Sequence, residues 1–146
     1  MVSRVIPVDP FDLVIFGGTG DLARRKILPG LFRRFIAGQM PQNAQIIGAA
    51  RADHDDQGYR EFVRQALLEF GPKDVPNDLI NAFLSGLAYV AIDAKGTNGW
   101  TELAAKMRAG HVRAFYFSVA PALFGDLAER LHSHDIALRD SRIVVE

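Results

Sequence analysis

Short apolar runs alternate along the chain with longer segments in which apolar residues recur every three or four positions. The runs are typical of buried strands in a parallel sheet, and the periodic segments are typical of amphipathic helices. The regular alternation predicts an α/β fold: a Rossmann-like, doubly wound parallel sheet in a three-layer αβα sandwich, formed as one domain over residues 1–146. The predicted strands are 11–16, 44–51, 87–93, 112–120 and 141–146. The predicted helices are a first one from Asp21 to Gly38, then 57–70, 77–86, 99–110 and 121–134.

Proline and glycine refine the helix boundaries. Pro29 lies inside the first helical pattern, and because proline lacks an N–H and crowds the preceding turn, it predicts a kink or a split near Ile27. Pro121 falls in the first turn of the last helix, where proline is tolerated. Gly110 is predicted to close the helix over residues 99–110.

Asp12 and the four histidines are predicted to have no role in chemistry. Asp12 precedes an apolar run and is predicted to be a strand-edge residue, and His54 and His111 are predicted to be solvated in loops. His132 and His134 lie two positions apart, so on a helix they point away from each other. Because no acidic or cysteine partner set accompanies them, no metal site is predicted.

Composition narrows the function classes. Apolar residues make up 49% and charged residues 23% of the 146 residues, which is typical of a globular domain. A formal net charge of zero argues against nucleic-acid and membrane-surface partners. The absence of cysteine excludes disulfides and thiolate metal sites. No stretch has the roughly 18 apolar residues of a membrane span, and the N-terminus lacks the features of a signal peptide, so a cytoplasmic location is expected.

The turn after the first predicted strand carries the clearest chemistry. Residues 13–26, LVIFGGTGDLARRK, place three glycines in four positions between a strand and a helix. Glycine permits a positive φ and lets the backbone approach a phosphate, and the following helix offers free N–H groups to an anion. The spacing is G-x-x-G-x-x-A, which is neither the full G-x-G-x-x-G pattern nor a P-loop. The turn therefore predicts a dinucleotide pyrophosphate site, against the alternative of a glycine turn without a ligand.

The end of the second strand indicates which dinucleotide is bound. An acidic residue there suits the ribose 2′-hydroxyl of NAD, whereas a basic residue suits the 2′-phosphate of NADP. The strand ends in GAAR, which places Arg51 at this position, and a guanidinium matches a phosphate in charge and geometry. Thr19 could help to hold the same phosphate. NADP is therefore predicted, although Asp53 in the acidic role would favour NAD and Arg51 could be a solvated loop charge.

These residues resemble a known family. GGTGDLARRKILPGLF is similar to the N-terminal signature of glucose-6-phosphate dehydrogenases. IIGAAR, AFYFSVAPALF and SRIVVE resemble the family's second strand, the junction after its fourth strand and the strand before its Glu-Lys-Pro-Phe-Gly motif. Family members are much longer, so the chain is interpreted as the nucleotide-binding domain alone, with no catalytic residue in it. The resemblance implies oxidation of glucose 6-phosphate at C1 by NADP, with this chain alone binding cofactor without turnover and the full-length enzyme forming a homo-oligomer.

The resemblance also implies roles for individual residues. Arg51 would take the 2′-phosphate, although Ala52 departs from the polar residue of many relatives, and Lys26 would reach the substrate. On local grounds alone, Arg24, Arg25 and Lys26 are more simply a solvated helix face. The pyrophosphate would be wrapped by Gly17, Gly18, Thr19, Gly20, Asp21, Leu22, Ala23 and Arg24. Asp93 and Ala94 would lie near the adenine, and Tyr116 and Ala120 toward the nicotinamide.

Two other classes are considered. A short-chain reductase or epimerase would need a Tyr-x-x-x-Lys pair, but the three tyrosines are followed four residues later by Val63, Asp93 and Ala120. A non-catalytic NADP-binding module stays open as an alternative.

Overall fold

A computed structural model describes residues 10–41 and 43–145, and within them five strands form one parallel sheet. The strand order is β3-β2-β1-β4-β5, which confirms the predicted doubly wound Rossmann-like topology. The strands are β1 (Phe11–Phe16), β2 (Gln45–Ala50), β3 (Leu87–Ala91), β4 (Val112–Phe117) and β5 (Arg142–Val145). The helices are α1 (Leu28–Ile36), α2 (Asp56–Phe70), α3 (Asn77–Ser85), α4 (Trp100–Lys106) and α5 (Phe124–Ser133). The predictions for residues 1–9 and for Glu146 lie outside the described residues.

The sheet separates two hydrophobic cores, one on each face, and the central strand β1 contributes side chains to both. Its side chains alternate between the sheet faces, as the two-residue period of a strand requires. Leu13 and Ile15 pack on one face with residues of α1, α2 and α3. Val14 and Phe16 pack on the other face with residues of α4 and α5. The predicted αβα layering is therefore confirmed, and the strand order reverses between β1 and β4, where β1 pairs with β2 on one side and β4 on the other.

The first helix is irregular where proline predicted a split. Two helical residues at 21–22 lead into a π-helical segment, Ala23–Ile27, and α1 follows directly. The N–H of Leu28 bonds the carbonyl of Ala23, five residues back. Pro29, buried in the first turn of α1, has no N–H to continue the earlier ladder. The sequence predicted a kink or a split near Ile27, and the structure has a change of helix type there, without a break between the two helical segments.

Two predictions about α4 and Asp12 are wrong, for one reason. Asp12 is not an edge residue but sits in the central strand with its side chain fully buried. The backbone N–H of Arg108 donates to its Oδ2 at 2.8 Å, and the Arg108 Nε donates to its Oδ1 at 2.8 Å. The chain must leave the helix to make this pair, so α4 ends at Lys106 and not at Gly110. Gly110 instead adopts φ +80° in the turn before β4.

Smaller departures concern the histidines and the last helix. His54 and His111 are half-buried and so only partly solvated, and His54 lies edge-on to the Tyr89 ring. The His111 Nδ1 is enclosed without a hydrogen-bond partner in the described part of the chain. The helix predicted over 121–134 begins with a 3-10 turn, Pro121–Leu123, before α5. In residues 10–41 and 43–145 no helix has the length and apolarity to cross a membrane.

Candidate dinucleotide-binding site

A cleft of about 610 Å³ opens at the carboxyl ends of the strands, beside the point where strand order reverses. This is where open α/β sheets bind ligands, and the volume lies in the range of small-molecule sites. The sequence-predicted residues that line it come from the loops after β1, β2, β3 and β4. They are Gly17, Thr19, Gly20, Arg51, Asp93, Ala94 and Ala120.

The glycine loop is held by backbone contacts that only glycine allows at Gly17. This residue adopts φ +80°, and a Cβ there would lie 2.0 Å from the carbonyl oxygen of Ser118. Its N–H donates to the Ala49 carbonyl at 2.8 Å, which anchors the loop to the end of β2. The Gly20 N–H donates to the Gly17 carbonyl at 2.9 Å and closes the turn. The result is an open backbone cradle at the start of a helix, which is the geometry that phosphate binding needs.

Gly18 faces away from the cleft, toward the core. Its carbonyl accepts a hydrogen bond of 3.0 Å from the buried Tyr59 hydroxyl. A Cβ on Gly18 would lie 2.9 Å from the Gly48 Cα and 3.0 Å from the Tyr59 hydroxyl oxygen. Gly18 therefore contributes close packing beneath the loop and does not line the cleft.

The charged start of the first helix forms its own surface network. Asp21 Oδ1 accepts from Arg25 Nε at 2.8 Å and lies 3.3 Å from Arg24 Nη2. The hydrogen bond from Arg25 lowers the pKa of Asp21, with Arg24 also lowering it. Both guanidiniums lie over the Phe70 ring at about 5 Å, and Arg24 also pairs with Glu69. Their roles toward the pyrophosphate stay predictions, since neither Asp21 nor Arg24 lines the cleft.

The remaining residues of the first helix divide between core and solvent. Leu22 packs against the core on the sheet face of Leu13 and Ile15, and Ala23 is fully buried, which permits the close approach of helix and sheet. Lys26 is exposed and outside the cleft lining, so its substrate role also stays a prediction.

Arg51 lines the cleft just beyond the end of β2. It is exposed in the loop after β2, and in residues 10–41 and 43–145 no group pairs with its guanidinium. Asp53, the alternative NAD determinant, is exposed and does not line the cleft. The sequence analysis missed Lys95, a second cation in the cleft lining.

The loop after β3 is fixed by two side chains that the sequence did not indicate. The Trp100 indole N–H donates to the Asp93 carbonyl at 3.0 Å. The Arg130 guanidinium donates to the carbonyls of Ala94 and Lys95 at 3.0 and 2.9 Å. The Asp93 carboxylate accepts the Lys95 N–H within the same loop. These contacts shape the cleft wall at the predicted adenine end.

The predicted nicotinamide residues differ in placement. Ala120 is exposed and lines the cleft, whereas Tyr116 lies on β4 and packs against the core beside α1 and α2. In the described ranges no group of three or more His, Cys, Asp or Glu residues could hold a metal.

The strand order, the glycine turn after β1 and the cleft beside it define a Rossmann-type dinucleotide-binding domain. The sequence profile of the family described as "Glucose-6-phosphate dehydrogenase, NAD binding domain" matches residues 14–146. The chain belongs to this family.

Full-length relatives carry the same domain. The chain is 45% identical to glucose-6-phosphate 1-dehydrogenase of Rhizobium meliloti (strain 1021), with all of this chain and 30% of that protein covered. It is 42% identical to the enzyme of Gluconobacter oxydans (strain 621H), over 95% of this chain and 29% of that protein. The crystal structure of glucose-6-phosphate 1-dehydrogenase from Mycobacterium avium superposes with a TM-score of 0.84 at 28% identity, over 94% of this chain and 29% of that one. The chain thus spans about 30% of the length of these relatives.

Proposed function

We propose that this chain is the NADP-binding part of a glucose-6-phosphate 1-dehydrogenase. The observation that carries the cofactor assignment is Arg51, which lines the cleft and whose guanidinium has no partner among residues 10–41 and 43–145. A fixed positive charge with a fork of donors suits a 2′-phosphate, which NADP has and NAD lacks. Thr19 lines the same cleft and would add a hydroxyl donor.

The residues present fit a dinucleotide on structural grounds. Gly17 and Gly20 line the cleft where a pyrophosphate would lie, and Arg51 lines the same cleft from the loop after β2. Asp93 and Ala94 would bound the adenine, and Ala120 lines the part of the cleft formed by the loop after β4. When bound, NADP supplies the nicotinamide ring that accepts a hydride.

The substrate is proposed from the family. A solved glucose-6-phosphate dehydrogenase in complex with its substrate glucose-6-phosphate superposes on this chain with a TM-score of 0.79 at 27% identity, over 99% of this chain and 31% of that one. We propose the same sugar phosphate for the longer protein, with Lys26 reaching toward it. Oxidation at C1 also requires a base that removes the hydroxyl proton. We place that base outside this chain, so this chain alone should bind cofactor without turnover.

Calorimetric titration with NADP and with NAD tests the cofactor assignment. Loss of a charge-assisted phosphate contact costs about 1.5–3 kcal/mol, so Arg51→Ala should weaken NADP binding by roughly tenfold to 150-fold. Binding of NAD should stay unchanged, because it offers no 2′-phosphate to Arg51. The matched control is Arg139→Ala, which removes an exposed arginine from the loop before β5, outside the cleft lining.

Three results would contradict the proposal. One is an Arg51→Ala variant that keeps the wild-type preference for NADP. Another is an Asp53→Asn variant that selectively loses NAD, which would give Asp53 the acidic role. Sustained NADPH formation from glucose 6-phosphate by this chain alone would contradict the placement of the base.

A further inference from the structure

Two buried tyrosines lie beneath the loops that form the proposed cofactor site. Tyr59 of α2 is 0% exposed and Tyr89 of β3 is 2% exposed. Their ring centroids are 5.0 Å apart, so the two side chains form one packed unit. Neither residue lines the cleft.

Tyr59 supports the glycine loop. Its hydroxyl donates to the Gly18 carbonyl, and its ring lies against Gly48 in β2, where a Cβ would sit 2.2 Å from the ring carbon Cζ. Burial raises the pKa of the Tyr59 hydroxyl, so it remains a neutral donor at physiological pH.

Tyr89 supports the loop that carries Arg51. Its hydroxyl oxygen lies 3.1 Å from the Ala50 carbonyl oxygen and 2.5 Å from the Ala52 carbonyl oxygen, the two residues that flank Arg51. Ala50 also accepts the Ile92 N–H at 2.8 Å at the end of β3, whereas Ala52 lies beyond the end of β2. The Tyr89 hydroxyl therefore matters most for the backbone immediately after Arg51.

The same tyrosine is itself firmly held. Its backbone N–H donates to Asp56 Oδ1 at 2.8 Å, at the start of α2. Burial, followed by the charge of Asp53, raises the pKa of Tyr89 to about 12, so the hydroxyl keeps its proton. Tyr89 is thus a firmly held donor beneath the loop from which the exposed Arg51 side chain extends.

We propose that Tyr89 is a positioning residue that sets the preference for NADP over NAD. By donating chiefly to the Ala52 carbonyl, with the Ala50 carbonyl also within reach, its hydroxyl fixes the backbone from which the guanidinium would meet the 2′-phosphate. Tyr59 does the same for the glycine loop, which meets the pyrophosphate common to both cofactors. This inference rests on the proposed role of Arg51, and its physical basis is that a pre-ordered loop avoids an ordering cost on binding.

Paired phenylalanine variants test the inference, because each deletes one hydroxyl and keeps the ring. Dissociation constants for NADP and NAD are measured by calorimetry on the 146-residue chain, with Tyr89→Phe, Tyr59→Phe and Arg51→Ala in parallel. Tyr89→Phe should weaken NADP about threefold to tenfold and leave NAD within twofold, as expected for one lost hydrogen bond. Tyr59→Phe should weaken both cofactors by the same factor and leave their ratio unchanged.

The ratio of the NADP and NAD dissociation constants distinguishes a positioning role of Tyr89 from a purely structural one. A purely structural effect lowers the melting temperature without changing this ratio. Amide hydrogen exchange is the second measurement, and in Tyr89→Phe it should accelerate at residues 51–53. A Tyr89→Phe variant with the wild-type ratio and wild-type exchange overturns this inference alone, provided Arg51→Ala loses the preference. If Arg51→Ala keeps the preference, both the NADP assignment and this inference fail.

Discussion

The buried pair between Asp12 and Arg108 provides a quantitative test of how the sheet and α4 are joined. In Asp12→Asn the side chain keeps its shape but loses its charge, and an amide N–H₂ must face the Arg108 guanidinium. Three Arg108 nitrogens lie 2.6–2.8 Å from the Asp12 carboxylate, and the Gln45 amide donates to it at 3.2 Å. The substitution would therefore leave a partly buried cation without its partner.

The expected cost follows from the burial of each partner. Breaking a buried ion pair by removing one partner costs about 3–5 kcal/mol. The Asp12 side chain is 0% exposed but that of Arg108 is 36% exposed, so the arginine regains part of its hydration. We therefore expect the lower end, about 3 kcal/mol, which is a large share of the roughly 5–15 kcal/mol stability of a domain.

Urea unfolding followed by circular dichroism measures this cost directly. In a separate thermal melt of the same variant, the melting temperature should fall by roughly 6–12 °C, at about 2–4 °C per kcal/mol for a chain of this size. The matched control is Asp140→Asn, which removes an exposed aspartate from the turn before β5 and should change little. A loss below about 1 kcal/mol for Asp12→Asn would show that the pair behaves as an ordinary surface ion pair and would refute the reasoning.

Two further predictions concern the glycine loop and the buried Tyr89 of β3. Gly17→Ala should abolish binding of both cofactors in calorimetry, because its Cβ would collide with the Ser118 carbonyl. Gly110→Ala, with the same φ of +80° but nothing within 4 Å of its Cβ, should bind normally, and equal binding by both variants would contradict the clash argument. Since the pKa of Tyr89 rises from 10.0 to about 12, the unfolded chain loses that proton first, and the free energy of unfolding should fall as pH rises through this interval. Urea unfolding between pH 9 and 12 should show a shallower fall in Tyr89→Phe, and parallel profiles would contradict the burial of the hydroxyl.

Local signals in the chain were sufficient to predict the fold and the glycine turn after β1. The alternation of strand and helix patterns follows from burial on sheet and helix faces, and Pro29 marked the change of helix type because its missing N–H acts locally. The tight turn at Gly17 was predictable because a strand, a glycine-rich segment and a helix in succession form a recognisable local unit.

Features that depend on distant pairing were not predictable. Asp12 and Arg108 are 96 residues apart, and nothing near either one indicates the other. The sequence placed Tyr59 in a helix and Tyr89 in a strand, but it gave no sign of their hydrogen bonds to loop carbonyls, because these arise from tertiary packing. Gly48 was the available signal, because a glycine inside a strand often marks the close approach of another group.

A crystal structure of this chain with NADP tests the central claim most directly. The account predicts the pyrophosphate at the backbone of residues 17–20 and the 2′-phosphate within hydrogen-bond distance of the Arg51 guanidinium. A 2′-phosphate that lies away from Arg51, or a cofactor bound outside the cleft at the carboxyl ends of the strands, would contradict it.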